Sequence, residues 1–356
     1  MTNSIPAEMK AVMLQRPGTI KVGIVPVPEP GEKELLLLVS ACGVCGSDFY
    51  RMMIDGAHKM PIIPGHEFSG VVVKTGKSAT SFNVGDNVVV APLIPCGVCE
   101  WCLKGEYSLC NDYDYYGSRR NGAFAEYVAV HADNAIKLPS GVNMDLFALV
   151  DSSANAVHAL MQSRIKIGDS LIVLGCGSVG LFAVQWAKYF GAGHITAIDI
   201  NDDKLALAKI LGADLVVNTY KDDVASMIRN IGGYCGANTV LEMAGTKEAQ
   251  KLAISLGAKL GRIVFFGISH QTLELSREDV ENILRKELSI TGSWNSFSPP
   301  FPGVEWVESI KRIHSYSIKA DEIISVRCTL DELPGIMYDS WNKKVSYNKI
   351  LCLPNR

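Results

Sequence analysis

Four closely spaced cysteines give the strongest chemical signal in the sequence: Cys96, Cys99, Cys102 and Cys110. Cysteines two residues apart can turn their sulfurs toward one centre, and four thiolates can enclose a tetrahedral zinc ion. An iron–sulfur cluster is the competing interpretation, because this spacing also suits that chemistry, and unrelated cysteines on a loop are the third. Since cysteine sulfurs would fill all four coordination positions, the spacing predicts a structural zinc site that binds no substrate.

A second set of residues combines one thiol, one imidazole and one carboxylate: Cys45, His66 and Glu67. Such a set suits a catalytic zinc ion, which keeps one coordination position open for water or substrate. Taken singly, a cysteine beside a glycine turn is usually buried and inert, and a single histidine is usually structural. The spacing of these three residues therefore leaves both interpretations open.

A glycine-rich turn, GCGSVG at 175–180, follows an apolar segment and precedes an amphipathic one. In that context Gly175 and Gly177 would let the backbone approach a pyrophosphate at the start of a helix. Asp199 ends the next strand candidate, where its carboxylate could bind an adenosine ribose and would repel a 2′-phosphate. We therefore expect NAD rather than NADP, against the alternative of a similar turn that binds nothing or another nucleotide.

Composition limits the classes of protein to which this chain can belong. The 356 residues are 48% apolar and 20% charged, with 34 Lys and Arg against 37 Asp and Glu. This length predicts two domains at about 150 residues each, and the apolar fraction excludes intrinsic disorder. A formal charge of −3 gives no broad attraction to nucleic acid or anionic membranes. With no signal peptide or membrane segment evident, we expect a cytoplasmic protein whose ten cysteines are reduced.

The elements that must position these residues fall into three parts, 1–154, 155–293 and 294–356. Short apolar runs separated by Gly, Pro and Asp indicate a β-rich first part. From about Asn155, strand-like and helix-like segments alternate, which predicts an α/β fold with a doubly wound parallel sheet. The strand candidates are 34–39, 68–73, 87–90, 170–174, 194–200, 215–218, 239–242, 262–266 and 349–353, and the helix candidates include 154–162, 181–190 and 204–211.

With these motifs in this order, the sequence resembles the zinc-containing medium-chain dehydrogenase/reductase family over essentially its whole length. The resemblance rests on CGSD at 45–48, GHE at 65–67, the four cysteines, GAFAEY at 122–127 and GCGSVG at 175–180. It implies a GroES-like catalytic domain, formed by the first and last parts, and a Rossmann domain between them. Segments 116–122, 283–288, 292–294 and 302–306 look most like the galactitol-1-phosphate 5-dehydrogenase group and the sorbitol-dehydrogenase-like polyol dehydrogenases.

The family pattern implies a catalytic role for each residue of the second set. Cys45 and His66 would bind the catalytic zinc, Glu67 would bind or support it, and Ser47 would pass on the proton of the substrate hydroxyl. The sequence departs from the polyol members at Asp151-Ser152, where they usually carry Glu-Pro. Asp151 can still coordinate zinc or hold its water, but it is one methylene shorter, which leaves the third protein ligand open between Glu67 and Asp151.

The resemblance also implies two zinc ions, one NAD and a set of cofactor and substrate residues. The implied cofactor-binding residues are Gly175, Gly177, Val179, Gly180, Asp199, Lys204, Gly267 and Ser293. Candidate substrate residues are Arg119, Arg120, Lys286 and Trp294, because guanidinium and ammonium groups bind sugar phosphates. Ordinary surface ion pairs are the alternative interpretation of the basic residues.

Two functions from different classes follow from the sequence. The first is an oxidoreductase that transfers a hydride between NAD and a secondary alcohol of a polyol phosphate, giving the ketose phosphate. Unphosphorylated polyols and threonine-like amino alcohols are its alternative substrates. The second is a catalytically silent nucleotide-binding protein, which the retained Cys45, Ser47, His66 and Glu67 disfavour. We further expect the chain to form a homo-oligomer, a dimer or tetramer, and to bind a small-molecule substrate.

Overall fold

The computed structural model describes residues 5–229 and 236–356. The chain forms two compact units, Met1–Asp151 with Ser298–Arg356, and Ser152–Phe297. These divisions lie three and four residues from the predicted boundaries after 154 and after 293. Among the described residues, no helix combines the length and apolar character needed to cross a membrane.

The first part of the chain is rich in strands, and strands alternate with helices in the middle part, as the sequence pattern of each part predicts. The strands are β1 Glu8–Arg16, β2 Thr19–Pro26, β3 Glu34–Gly43, β4 Glu67–Thr75, β5 Asn87–Val90, β6 Leu93–Ile94, β7 Asp114–Tyr115, β8 Tyr127–His131, β9 Ala135–Lys137, β10 Ser170–Leu174, β11 His194–Asp199, β12 Leu215–Asn218, β13 Ala237–Glu242, β14 Gly257–Phe265, β15 Ser289–Gly292, β16 Ile324–Cys328 and β17 Lys349–Cys352. The α-helices are α1 Gly46–Tyr50, α2 Glu100–Leu103, α3 Met144–Phe147, α4 Val150–Ser163, α5 Ser178–Tyr189, α6 Asp202–Leu211, α7 Val224–Arg229, α8 Lys247–Leu256, α9 Arg277–Lys286, α10 Val304–His314 and α11 Leu333–Trp341.

The first unit is built on a largely antiparallel sheet in the order β16-β17-β3-β4-β5-β9, with β8 also paired to β3. Strand β3 lies in its middle because three of its leucines and its valine are buried and they occupy both faces, which suits a central strand. Its last residue, Gly43, pairs with Glu67, the first residue of β4. This register brings the segment after β3, which contains Cys45, beside His66 and Glu67.

Three further cysteines of the first unit lie in register on neighbouring strands. Cys42 on β3 pairs with Cys352 on β17, which in turn pairs with Cys328 on β16. All three are buried in the hydrophobic core, where burial raises the pKa of Cys42 and lowers its reactivity. Nine cysteines are free thiols among the described residues. Cys235, to which the sequence assigned no role, lies outside those residues.

The second unit has a six-stranded parallel sheet in the order β12-β11-β10-β13-β14-β15. The chain runs outward from β10 to β12 and then returns to β13 on the other side of β10. Ligands of doubly wound sheets bind at the carboxyl ends of the strands where the order reverses in this way. The reversal between β10 and β13 thus marks a nucleotide site, and the turn at 175–180 directly follows β10.

The sequence located most strands of the central sheets within a few residues but missed the first hairpin. Strands β1 and β2 pair from Glu8↔Pro26 onward, and β1 buries Met9, Val12 and Leu14. Its burial pattern breaks the simple alternation that predicts a strand, since Ala11 and Val12 are consecutive and both buried. Helix α5 begins at Ser178, three residues before the predicted start, because the glycine turn itself supplies the first helical residues.

Candidate active site

The four cysteines of the first unit converge on one point. The sulfurs of Cys96, Cys99, Cys102 and Cys110 all lie within 4.8 Å of one another. Two of the Sγ–Sγ distances, Cys96–Cys102 and Cys99–Cys110, are 3.9 Å. Four sulfurs about 2.3 Å from a central ion in a tetrahedron lie at about this separation, so the group fits zinc.

Backbone N–H groups point at the sulfurs of this cluster. The Cys99 N–H donates to Cys96 Sγ at 3.4 Å, and the Cys96 N–H donates to Cys110 Sγ at 3.3 Å. Backbone hydrogen bonds from Cys102 and Asn111 lower the pKa of Cys99 to about 6. Because a metal binds the thiolate, donors that stabilise thiolates prepare this loop for a metal ion.

The second set of predicted ligands also comes together. The ligand atoms of Cys45, His66 and Glu67 lie within 4.8 Å of one another. Cys45 is the residue preceding α1, His66 precedes β4, and Glu67 begins that strand. His66 and Glu67 are buried whereas Cys45 is partly exposed, so the cluster opens toward solvent on the side of the thiol. One thiolate, one imidazole and one carboxylate fit a zinc ion with an open position.

Asp48, a residue without an assigned role in the sequence, organises this cluster. Its carboxylate accepts from the Cys45 N–H at 3.0 Å and from Arg51 Nη1 at 2.7 Å, and lies 3.4 Å from His66 Nδ1. Burial would raise the pKa of Asp48, but His66, Arg51 and the Cys45 N–H lower it to about 2. A carboxylate at Nδ1 fixes the ring and leaves Nε2 as the nitrogen for a metal.

Lys349 is the second residue of this cluster that the sequence did not indicate. It lies on β17, is buried, and forms an ion pair with the buried Glu67 carboxylate. Its Nζ also donates to the Val44 carbonyl oxygen at 3.2 Å. Although burial lowers the pKa of Lys349, Glu67 and Cys45 raise it above its usual value, which keeps the ammonium charged. Lys349 therefore offsets part of the negative charge that Cys45 and Glu67 concentrate here.

Asp151 is buried near the cluster but stands apart from its three converging residues. It is the second residue of α4, and the set of ligand atoms within 4.8 Å does not include it. Burial and the charge of Glu67 raise the pKa of Asp151 to about 7. The structure thus brings Cys45, His66 and Glu67 together and leaves Asp151 as a neighbouring carboxyl.

Tyr115 covers the ring of His66, with the two ring centroids 5.6 Å apart. Burial raises the pKa of the Tyr115 phenol well above its usual value, and Asp151 and Cys45 raise it further. The phenol therefore stays protonated beside the cluster. Ser47, in the first turn of α1, is half-buried. The role of Tyr115 could not be predicted from the sequence, because no local sequence pattern distinguishes it from the neighbouring Tyr113 and Tyr116.

In the second unit, the glycine turn has the form that a pyrophosphate site needs. Gly175 has a φ of +102°, and a Cβ there would lie 2.8 Å from the Ala244 nitrogen at the end of β13. A Cβ at Gly177, which precedes α5, would meet no atom within 4 Å. The backbone is therefore tight beneath the turn and open above it, where α5 begins and favours negative charge. Gly180 is buried in α5, and Val179 is half-buried.

Asp199 connects the end of β11 to this turn. Its carboxylate accepts from the Cys176 N–H at 2.6 Å and from the Asn201 N–H at 2.9 Å. The carboxylate is half-buried, so its outer side remains open to a ribose hydroxyl. Lys204 lies in the first turn of α6, where its N–H donates to Asn201 Oδ1 at 3.1 Å.

The last two predicted cofactor residues follow β14 and β15, the two strands beyond β13 in the sheet. Gly267 follows β14, and its N–H donates to the Glu242 carbonyl oxygen at 3.1 Å. Ser293 follows β15 and donates its N–H to the Phe265 carbonyl oxygen at 2.9 Å. The Ser293 hydroxyl is buried and finds no hydrogen-bond partner in the part of the chain that is described. A hydroxyl in this condition is available to a ligand.

The candidate substrate residues are divided between the two units. Lys286 donates to the carbonyl oxygens of Ser255 and Gly257 at 2.8 and 2.9 Å, so its ammonium caps the end of α8. Trp294 follows β15 and is exposed. Arg119 and Arg120 lie on the loop after β7 in the first unit, and Arg120 binds Asp114 at 2.7 Å.

Comparison with known proteins identifies the family. Residues 31–140 match the alcohol dehydrogenase GroES-like domain, and residues 178–309 match the zinc-binding dehydrogenase family. Galactitol 1-phosphate 5-dehydrogenase of Escherichia coli (strain K12) is 33% identical, covering 97% of this chain and 100% of that protein. The chain belongs to the zinc-containing medium-chain dehydrogenase/reductase family.

Two further relatives of this dehydrogenase agree with that assignment. Sorbitol dehydrogenase of Bacillus subtilis (strain 168) is 30% identical over the whole of both chains. The crystal structure of a putative zinc-binding dehydrogenase from Sinorhizobium meliloti 1021, bound to NADP, superposes with a TM-score of 0.89 at 32% identity, covering 98% of this chain and all of that one. The protein is therefore a zinc-dependent alcohol or polyol dehydrogenase with GroES-like and Rossmann-type parts, which confirms the predicted fold and class of enzyme.

Proposed function

We propose that this dehydrogenase oxidises a secondary alcohol of a polyol phosphate to the ketose phosphate, using NAD and two zinc ions per chain. The observation that carries the proposal is the convergence of Cys45, His66 and Glu67 within 4.8 Å. The phosphorylated substrate class is supported by the name of the Escherichia coli relative and by Arg119, whose buried Nε has no hydrogen-bond partner among the described residues. Unphosphorylated polyols are the second candidate, because a sorbitol dehydrogenase is also similar, and threonine-like amino alcohols are the third.

Each residue of the cluster has a role in this reaction. Cys45, His66 and Glu67 would hold a zinc ion, which would supply a Lewis acid for the substrate hydroxyl, and NAD would supply the hydride acceptor. The Asp48 carboxylate lies 3.4 Å from His66 Nδ1 and favours the orientation that turns Nε2 toward the metal site. Tyr115 covers His66 and excludes water from it. Ser47, half-buried in the first turn of α1, would accept the hydroxyl proton at Oγ and release its own hydroxyl proton to solvent water.

Glu67 rather than Asp151 is the third protein ligand in this proposal. One oxygen of the Glu67 carboxylate pairs with Lys349, and an oxygen of Glu67 lies within 4.8 Å of the donor atoms of both Cys45 and His66. Asp151 lacks that placement, and burial favours its neutral form. Asp151 then holds a water or a substrate hydroxyl next to the metal ligands.

The substrate class can be tested with a panel of purified substrates. We expect turnover of galactitol 1-phosphate with NAD at a kcat/KM at least about 10-fold above that of sorbitol or L-threonine, because recognition of a phosphate adds a charge-assisted contact. Initial rates of NADH formation at 340 nm measure this across polyols and their phosphates. Activity confined to the free polyols would overturn the phosphate proposal and leave the dehydrogenase assignment intact.

Cofactor preference provides a second prediction, centred on Asp199. The Asp199→Asn variant removes the charge that repels a 2′-phosphate while retaining an oxygen that accepts from the Cys176 N–H. We expect the ratio of kcat/KM for NAD over NADP to fall about 10-fold or more, since each tenfold corresponds to about 1.4 kcal/mol. Steady-state kinetics with both cofactors measure the ratio.

Asp202→Asn is the matched control for that experiment. Asp202 lies three residues further on, begins α6 and is exposed, so the same loss of charge occurs outside the glycine turn. Its NAD-to-NADP ratio should stay within about 2-fold of the wild type, well under the tenfold that 1.4 kcal/mol represents. A folded Asp199→Asn variant with an unchanged ratio would contradict the assignment of NAD through this residue.

Self-association is the last part of the proposal. Strand β15 forms the edge of the parallel sheet, and all four of its residues are exposed, including Ile290. The strand candidate 262–266 cannot form the edge, because β14, which contains all but its last residue, lies between β13 and β15. An exposed edge strand with an apolar residue is a surface for pairing with a second copy. Sedimentation velocity tests this, and a monomer at micromolar concentration would exclude it.

A further inference from the structure

Two consecutive arginines after β7 have opposite surroundings. Arg120 is paired on two sides, with Asp114 at 2.7 Å and Glu34 at 3.4 Å. Arg119 forms no ion pair with any residue of 5–229 or 236–356, and its Nε is buried there without a hydrogen-bond partner. A partly buried guanidinium without a counter-charge is costly, and an anionic ligand would offset that cost. Of the two, only Arg119 is therefore available to a ligand.

The backbone that carries Arg119 is fixed against the segment that carries His66. Gly117 has a φ of +76°, and a Cβ there would lie 2.9 Å from the Gly65 nitrogen. The Ala123 N–H donates to the Gly65 carbonyl oxygen at 2.9 Å. Gly65 precedes His66, so the loop from 117 to 123 is anchored one residue from a predicted metal ligand. Its distance from the catalytic cluster is thereby set by backbone contacts.

A row of rings connects Arg119 to that cluster. The Arg119 guanidinium lies 4.6 Å from the centre of the Tyr113 ring. Tyr113 meets Tyr115 edge-on at 6.2 Å, and Tyr115 lies 5.6 Å from the His66 ring. Stacking on Tyr113 restrains the guanidinium and leaves its N–H groups pointing away from the ring edge. A substrate with its reacting hydroxyl at His66 would extend along Tyr115 to reach Arg119.

Two more basic side chains share this region. The His58 N–H donates to the Ser118 carbonyl oxygen at 3.1 Å, which places His58 beside the loop of Arg119. Partial burial lowers the pKa of His58, and the charges of Arg119 and Arg51 lower it further. Arg51 is partly neutralised by Asp48 at 2.7 Å, whereas no carboxylate of the described residues pairs with Arg119. The electrostatic potential around Arg119 is therefore positive, as an anion site requires.

We propose that Arg119, flanked by His58 and Arg51, binds the phosphate monoester of the substrate while the reacting hydroxyl lies at Cys45 and His66. The proposal rests on the proposed function and specifies which residues select the phosphorylated substrate. Arg120 is a positioning residue that holds the loop through Asp114 and Glu34. A guanidinium can donate two parallel hydrogen bonds to phosphate oxygens, which a lysine cannot reproduce.

The test compares galactitol 1-phosphate with galactitol in the zinc-loaded enzyme. For Arg119→Gln we expect kcat/KM for the phosphorylated substrate to fall about 10- to 100-fold, mainly through KM, because one charge-assisted contact is lost. The kcat/KM for galactitol should stay within about 2-fold, since that substrate does not reach the site. Arg119→Lys should recover part of the loss. Inorganic phosphate should inhibit galactitol oxidation by the wild type and inhibit Arg119→Gln at least about 10-fold less strongly.

Arg285→Gln is the matched control, since Arg285 is exposed on α9 of the second unit and carries the same charge. The Arg285→Gln variant should leave the kcat/KM for both substrates unchanged. If the wild type prefers galactitol 1-phosphate and Arg119→Gln keeps that preference, the assignment of Arg119 is wrong while the proposed function stands. If the wild type oxidises only galactitol and phosphate does not inhibit it, both fail. Equal losses for both substrates in Arg119→Gln would instead indicate damage to the loop and would also overturn the proposal.

Discussion

The Cys45→Ser variant is expected to lose at least about 1,000-fold in kcat and one of two zinc ions per chain. Cys45 supplies the only thiol among the three residues that converge within 4.8 Å. The serine hydroxyl that replaces it stays protonated at neutral pH and is a much weaker zinc ligand than a thiolate. A metal that polarises the reacting oxygen contributes several kcal/mol to catalysis, and each 1.4 kcal/mol is about tenfold in rate. Turnover with NAD and metal analysis of the same preparation measure the two losses.

Cys328→Ser is the matched control for this variant. Cys328 is a buried thiol of the same unit, on β16. It belongs neither to the four-cysteine cluster nor to the set formed by Cys45, His66 and Glu67. It should keep both zinc ions and nearly full kcat, with a loss of about 1 to 2 kcal/mol in the free energy of unfolding from burying a hydroxyl in the core. Retention of full activity or of both zinc ions by Cys45→Ser would refute the catalytic role of this site.

The Cys99→Ser variant is expected to lose stability while keeping most of its catalytic activity. Loss of one of four ligands should release the structural zinc and lower the free energy of unfolding by about 3 kcal/mol or more. For a unit of this size that corresponds to a fall in Tm of roughly 6 to 12 °C. The zinc bound at Cys45, His66 and Glu67 should remain, so kcat per folded molecule should stay within a few-fold of the wild type. Differential scanning calorimetry and zinc content measure these effects.

The two variants together distinguish two zinc sites from one. If each loses a different zinc ion, the double variant Cys45→Ser with Cys99→Ser should retain none, and the two losses should be additive because the sites are separate. An unchanged Tm in a zinc-depleted Cys99→Ser protein would show that the four-cysteine loop does not stabilise the unit. Iron rather than zinc in the wild type, with visible absorption that Cys99→Ser abolishes, would favour the iron–sulfur alternative.

The features that the sequence determined are those whose residues lie close together along the chain. Cys96, Cys99, Cys102 and Cys110 lie within fifteen residues, so their spacing alone restricts how they can converge. The turn at 175–180 likewise needs only the strand before it and the helix after it. Alternation of apolar segments was enough to predict the parallel sheet, because a strand buried on both faces is apolar throughout.

Charge pairing around Cys45, His66 and Glu67 was decided by the tertiary structure. Lys349 reaches Glu67 because β17 pairs with β3 and β3 pairs with β4, a relation between residues almost 300 positions apart. Pairing of strands depends on which apolar faces pack together, and no local pattern specifies it. The placement of Glu67 beside Cys45 follows from the pairing of β3 with β4.

The difference between Arg119 and Arg120 shows most clearly what the sequence alone could not predict. The two residues are adjacent and chemically identical, so the sequence gives them equal claims to a phosphate. The loop turns the Arg120 guanidinium onto Asp114 and Glu34 and the Arg119 guanidinium onto the Tyr113 ring, where it pairs with no carboxylate in the described part of the chain. Residue types and short spacings thus determined which chemistry this dehydrogenase can perform. Only the fold decided which charges are already neutralised and which remain for a substrate, because ion pairs form between side chains that distant segments bring together.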